Sequence, residues 1–491
     1  MRTRTGITMI ALMLFLGPDR AAGQVRWGQF RGPGGTGVAA DAKNLPVEFG
    51  PAKNLIWKRE LPAGHASPCI AGDRIFLTGY ANKTLETFGL DRSTGEILWR
   101  RAVATEKIER VHPISSPAAP TPATDGRRVF VYFGSYGLVC YDLDGKELWK
   151  RPMALPKNMY GTAASPVIAG GLLIFNDDQA EKSCLWALDP KTGEPVWKKD
   201  RPQFTAGWST PMVWRNNGVD EVVIYGNWWL VAYDLKNGEE RWSFGGLTDE
   251  PCITPVSGEG LVYISSYNMG KNPEVFGPPT FDEIIAKHDQ NKDGQIDFDE
   301  VPADLSLLSR NDVGREGTHP LRGFFNFLDV NRDKKVTREE YRKWNAFREG
   351  FKFENAIMGI RPGGPGGAQE ATAVWKHTTG VPEAPSPLYY QGRVYTVMNG
   401  GTVTCQTAKT GARKYIEKLG AGGAYYASLV AGEGKIFASS MQGVVTVFKA
   451  GVTLKILARN DLGERIMATP AIVEGRIYVR TEKNLYAFGL K

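Results

Sequence analysis

Histidine and cysteine are both scarce, at five residues each in a chain of 491. His65, His112, His288, His319 and His377 show no metal-ligand spacing, and no zincin, nucleotide-loop or nucleophile-elbow motif is present. Cys69, Cys140, Cys184, Cys252 and Cys405 are odd in number and dispersed. That argues against a disulfide framework or a zinc site and leaves thiols acting as small buried apolar groups. No Lys/Arg block resembles a nucleic-acid arm, and the net charge of +7, from 60 basic and 53 acidic residues, is mild for this length. Nucleic acid is therefore not an expected partner. Long apolar runs are missing as well. The N-terminal run ITMIALMLFLG (residues 7–17) holds 11 residues, follows Arg2 and Arg4, and precedes Ala21, Ala22 and Gly23. This is the pattern of an export signal over residues 1–23, with an uncleaved anchor as the alternative. No later run approaches the ~20 residues of a membrane helix. The expectation is an exported chain, periplasmic or extracellular, with no transmembrane span after cleavage.

What the chain has in quantity is glycine, 57 residues, and aromatics, at 11%. Both fall into a repeat. DRSTGEILW (91–99), DLDGKELW (142–149), DPKTGEPVW (189–197) and DLKNGEERW (234–242) share one turn, with a weaker copy in TAKTGARKY (407–415). Asp opens the turn, Gly supplies the positive φ, and a strand resumes towards an aromatic residue. Upstream lies a Ser/Thr-Pro pair leading into an apolar strand, with prolines at 68, 122, 166, 211, 255, 387 and 470 and Leu429 at the remaining position. By subtraction the steps are 54, 44, 45, 44, 132, 42 and 41. A unit of about 44 residues with four short strands is a propeller blade. Eight starts predict an all-β, eight-bladed propeller. The last start runs out of chain before its aromatic strand, and NLIWKREL (54–61), with Trp57, is the strand free to close the ring.

The repeat resembles the PQQ-like propeller family, eight-bladed rings whose blades dock through a recurrent Trp. The resemblance covers residues 54–270 and 370–491, and the segment WGQFRGPGGTGV (27–38), within a leader of residues 24–53, resembles that of exported members.

The step of 132 exceeds a unit by 88, placing an insertion at residues 271–369 in blade five. It contains DQNKDGQIDFDE (289–300), which fits an EF-hand loop. Asp289, Asn291, Asp293, the Gln295 carbonyl, Asp297 and Glu300 supply the oxygens that a calcium ion requires, and Gly294 makes the sharp turn. A second loop, DVNRDKKVTREE (329–340), offers Asp329, Asn331, Asp333, the Lys335 carbonyl, Thr337 and Glu340. Lys334 stands where glycine is usual, and four basic side chains offset the charge, so this loop is expected to bind more weakly or to serve only as a structural partner. GIRPGGPGG (359–367) reads as a flexible return linker.

Two functional expectations follow from the resemblance. One is a non-catalytic propeller binding an envelope protein or glycan, similar to the outer-membrane assembly propellers. The other is a quinoprotein dehydrogenase that oxidises an alcohol or sugar with PQQ and calcium. The resemblance implies an adjacent Cys-Cys pair for the second, and this sequence has none, so PQQ is the less favoured cofactor. On either expectation a ligand would meet the residues just before the Ser/Thr-Pro pairs, at the channel mouth: His65, Tyr160, Trp208, Tyr425, Tyr426 and Met467.

Overall fold

The computed structural model describes residues 24–268, 278–309, 318–350, 354–363 and 371–490. The export signal expected over residues 1–23 lies outside them. Eight antiparallel sheets form the ring, built in chain order from the Ser/Thr-Pro starts. Each blade begins with a short inner strand, such as Cys69–Ala71, and ends on the outer aromatic strand, such as Ile97–Val103. Blade eight closes as expected: Leu55–Glu60 pairs antiparallel with Asn484–Gly489, with Trp57 opposite Ala487.

The turn and the aromatic residue prove to be two halves of one joint. In five blades the Trp indole reaches the turn of the next. Nε1 of Trp57, Trp99, Trp149, Trp197 and Trp375 donates to the carbonyls of Arg92, Leu143, Pro190, Leu235 and Ala408, at 2.7–3.1 Å. The ring lies over the turn glycine so closely that a Cβ on Gly145 would stand 2.5 Å from Trp99. Glycine is thus needed for contact as well as for its φ of +83°. Two residues beyond the Trp, Arg59 and Arg101 donate to the carbonyls of Gly95 and Gly145, both at 2.7 Å. His377 meets Gly411 in the same way at 2.6 Å. Trp242 departs from the pattern: its Nε1 turns to the buried Glu221 of its own blade at 2.9 Å.

The Ser/Thr of the pairs makes a second ring, around the channel. The N–H of Ser67 donates to Oγ1 of Thr121, Thr121 to Ser165, and Ser165 to Thr210. The series continues from Thr254 to Ser386, Ser428, Thr469 and back to Ser67, all at 2.9–3.0 Å. Only the step from Thr210 to Thr254 lacks this bond among these described residues. The proline that follows needs no N–H partner of its own.

In blade five, Leu261–Ser266 pairs with Ala356–Arg361, which pairs with Thr372–His377. This corrects two expectations. The boundary at 369 is too late, because Ala356–Arg361 is the third strand of the blade, and residues 359–361 are strand rather than linker. Among the described residues between these strands are three helices: α1 (Phe281–His288), α2 (Leu321–Leu328) and α3 (Arg338–Gly350). Thr280 caps α1 in a capping box with Glu283. Asp289 and Asp329 each end a helix, and the loops they open are tied by Ile296–Asp297 pairing with Lys335–Val336. Ile296, Val336, Phe325 and Tyr341 form a small core separate from the ring. The first loop leaves through a turn, not a helix, as Pro302 forewarns.

Candidate functional site

The N-terminal segment determines which end of the channel is open. Val25–Trp27 adds a strand to blade one, pairing at Ile70 and Ala71, the far end of the inner strand from Ser67. The chain then crosses beneath the ring. The Gly28 carbonyl accepts from Thr124 N–H of blade two, and Gln29 Oε1 from Ile168 N–H of blade three. Arg31 Nη2 donates to the Pro387 carbonyl of blade six at 2.6 Å, and Val38–Ala39 pairs parallel with blade seven. Phe30 lines the base of the channel. The leader is therefore a plug, which the repeat pattern could not disclose.

Above it lies a narrow cavity of about 140 Å³ lined by all eight Ser/Thr residues of the ring. The side chains two residues earlier line it as well, including His65, Trp208, Cys252, Tyr426 and Met467. It widens into a second cavity of about 220 Å³, where Ile114, Tyr160, Glu250 and Glu383 join them. Five of the six expected mouth residues, His65, Tyr160, Trp208, Tyr426 and Met467, thus meet at one place. Tyr425 does not. Adjacent residues of an extended segment point to opposite sides, so Tyr425 is fully buried in a blade core, its hydroxyl donating to the Ala421 carbonyl at 2.9 Å.

The aromatic wall is ordered. Tyr160 meets Trp208 edge to face, centroids 5.3 Å apart, and His112 packs behind it at 5.0 Å. Trp208 is held by Nε1 donating to the Gly161 carbonyl at 2.9 Å. Two carboxyls complete the wall, and reading from repeats missed both. They stand four and three residues before Thr254 and Ser386, in DEPCITP (249–255) and PEAPSP (382–387), so no single repeat offset finds both. Glu383 accepts from Asn399 Nδ2 at 2.6 Å. The Glu250 carboxyl makes no hydrogen bond to a described residue. Burial, with Asp249 and Glu383 nearby, pushes it up to about 8. Opposite, burial and the cations Arg465 and Arg480 hold His65 down to about 3, so it is neutral. The Cys252 thiol is pushed well up by burial and is a poor nucleophile. All five cysteines are free.

The loops of the helical segment have matching shapes. Asp293 N–H donates to Asp289 Oδ1 and Asn291 Oδ1, and Gly294 N–H to Asp289 Oδ2. Asp333 and Lys334 repeat these bonds to Asp329 and Asn331. Gly294 and Lys334 carry φ of +76° and +68°. The last carboxylates differ. Glu340 is satisfied at both oxygens, by Val330 N–H and by Thr337. Glu300 accepts from Asn291 N–H with Oε1, and its Oε2 is buried without a partner. The Lys335 ammonium reaches across to Asp293 and to Asp297, the latter at 3.4 Å. Gln295 and Thr337 flank the paired strands, one before Ile296 and the other after Val336. Among the described residues no group of three His, Cys, Asp or Glu side chains is placed to hold a metal. The loop carboxylates are instead spent on local N–H groups and on Lys335.

No described helix is long and apolar enough to cross a membrane. Among solved structures, the fold is similar to BamB from Moraxella catarrhalis, at 11% identity and a TM-score of 0.51, covering 89% of this chain and 99% of that one. It is also similar to a europium-containing methanol dehydrogenase, at 12% identity and a TM-score of 0.56, covering 96% and 99%. At such identities the likeness is one of fold. Over 144 residues the chain is 29% identical to the outer membrane protein assembly factor BamB of Alkalilimnicola ehrlichii. That match covers 28% of this chain and only 33% of that protein's length. A family model described as outer membrane protein assembly factor BamB matches residues 18–158 and 88–272. Since those matches together run over more than half of its 491 residues, the chain belongs to that family.

Proposed function

We propose that this chain is an exported, non-catalytic propeller of the cell envelope that binds a protein or glycan at the open channel mouth. The observation that carries this reading is the one-ended cavity walled by Tyr160, Trp208, Tyr426 and Met467. Broad apolar faces with polar edges suit recognition. The groups beside them suit chemistry poorly: a neutral His65, a thiol with a raised pKa and two carboxyls without a nucleophile to activate. The name of the matching family, an assembly factor, agrees with a protein partner. The test is recovery of partners from the native envelope fraction by wild type and by a Trp208→Ala/Tyr426→Ala double variant of matched Tm. A partner lost only from the variant supports the mouth; equal recovery from both overturns it.

The dehydrogenase reading keeps one point in its favour, the similarity of fold to methanol dehydrogenase. The residues present do not fit its cofactor. PQQ carries three carboxylates, and the mouth meets it with Glu250 and Glu383 and no lysine or arginine in its lining. At about 220 Å³ it is also smaller than the 300–1,000 Å³ usual for ligands of that size. Absorbance spectra of the protein with and without added PQQ and calcium discriminate the two readings; a stoichiometric bound-quinone band would favour the enzyme.

The helical segment, on our reading, is an EF-hand pair whose first loop takes calcium. The buried, partnerless Glu300 Oε2 supports this, because a bidentate carboxylate at that position is what a cation would satisfy. Calcium would replace Lys335 on Asp293 and Asp297. Calorimetry should give uptake with an affinity around 10⁻⁴ to 10⁻³ M. Glu300→Gln should weaken it at least tenfold, and Glu340→Gln should affect the tightest site less. Absence of uptake by wild type would refute the assignment.

A further inference from the structure

The mouth has a polarity that a general peptide or glycan site does not need. Tyr160, Trp208, Glu250, Glu383 and Tyr426 come from five successive blades, three to seven, and line one cavity. The Tyr160 hydroxyl feels both carboxyls and the Cys252 thiol, so all of these groups converge on one volume. Glu383 is anchored by Asn399, whereas Glu250 has nothing in the described protein to satisfy it. Asp249, next in sequence, is occupied by Asn268 Nδ2 at 2.9 Å. The cations near the site, Arg465 and Arg480, belong to blade eight and act on His65. Arg480 is pinned to the carbonyls of Pro62 and Thr78 and does not line the cavity, nor does Arg465. A carboxyl without a partner, surrounded by protein and facing aromatic rings, is half of an interaction.

From this placement we infer that the mouth is a receptor for a single aliphatic ammonium group, and specifically for a lysine side chain presented end-on by a protein partner. An ammonium would donate hydrogen bonds to the carboxyl oxygens of Glu250 and Glu383, while its methylenes lie against Trp208, Tyr426 and Met467. Size decides between occupants. A cavity of about 220 Å³, closed below by the hydroxyl ring and Phe30, takes one extended side chain. It is below the range in which drug-sized ligands are held, so an oligosaccharide would have to stay outside. The inference deepens the binding reading and rests on it: it names which chemistry of the partner the mouth selects.

The experiment is a Trp-fluorescence and calorimetric titration of the full-length mature protein with four probes. They are N-acetyl-lysine methylamide, its norleucine counterpart, N-acetyl-arginine methylamide and free butylamine. The lysine probe is expected to saturate, with at least tenfold tighter binding than the norleucine probe. Butylamine should bind more weakly than the lysine probe, since the backbone amides add contacts at the rim. Butylamine binding as tightly would assign the site to free amines, and arginine binding more tightly than lysine would assign it to guanidinium; each overturns the lysine claim. Glu250→Gln should abolish the preference for lysine over norleucine, and Glu383→Gln should reduce it. Circular dichroism checks that both variants fold. If Glu250→Gln fails to fold, Glu383→Gln together with loss of binding at 1 M salt carries the decision. An unchanged preference in Glu250→Gln, or no saturation by the lysine probe, overturns the inference. The envelope pull-down could still succeed in that case, so the two failures are distinguishable.

Discussion

Burial pushes the Glu250 carboxyl from its ordinary 4.5 up to about 8, with Asp249 and Glu383 adding to the effect. The folded protein therefore holds this proton more tightly than the unfolded chain does. Its contribution to stability is full below about pH 4.5 and is lost as pH rises through 8. Glu109, buried beneath Thr162 and pushed up to about 7, follows the same sign. Glu250→Gln should thus raise Tm at pH 9, by about 2–4 °C, and leave it unchanged near pH 4. Calorimetry at both values checks this, and a fall at pH 9 would mean that the carboxylate has an unseen partner. His65 works in the opposite direction: its proton is lost more easily in the folded state, so its contribution is present above 6.5 and fades as pH falls towards 3. At the blade joints, Gly145→Ala would put a methyl into the Trp99 ring at a φ of +83°. We expect a loss of about 1–3 kcal/mol, read as a shift in the denaturant midpoint.

Among the elements, those that repeat were legible and those that occur once were not. The Asp-to-Trp turn recurs because its glycine and its Trp meet across a blade boundary, so their spacing is written into every copy. The closing strand was legible through Trp57, which had no earlier blade to serve. By contrast, Ala356–Arg361 was missed because its partner Leu261–Ser266 lies far away in sequence and a glycine-rich run follows at once. The leader's two strands pair with blades one and seven by backbone bonds, which leave no side-chain pattern. Glu250 and Glu383 were missed because each belongs to one blade only. The turns of the paired loops were legible in the sequence, yet the bond from Lys335 to Asp293 was not, since it joins the two loops in space. It yields a prediction: Lys335→Gln should tighten calcium binding at the first loop several-fold by removing a resident cation, as calorimetry would show. Unchanged affinity would mean that Lys335 swings clear without cost.

For the whole molecule, the point of attachment of the helical segment matters. Asn268 N–H donates to Asn355 Oδ1 at 2.8 Å, and Asn355 Nδ2 to the Asn268 carbonyl at 2.7 Å. The two ends of the segment are thus fastened together on the propeller side, and its core is its own. Replacing residues 271–353 by a short Gly/Ser loop should leave a β protein that melts cooperatively within a few degrees of wild type. Collapse to an unfolded chain would show that the ring depends on the segment.

The pairing of Leu55–Glu60 with Asn484–Gly489 also sets an order in time. This strand leaves the ribosome before any of the Ser/Thr-Pro starts and is the last of the blade strands to find its neighbour. At 5–20 residues per second the wait is roughly 20–90 s. Throughout that interval blade eight does not exist, and the Trp57 strand is an open edge carrying unmatched amides. A nascent chain in that state invites a wrong partner, above all the same edge on another copy. Its safe delivery would therefore depend on a chaperone that keeps it extended until the C-terminal strands arrive.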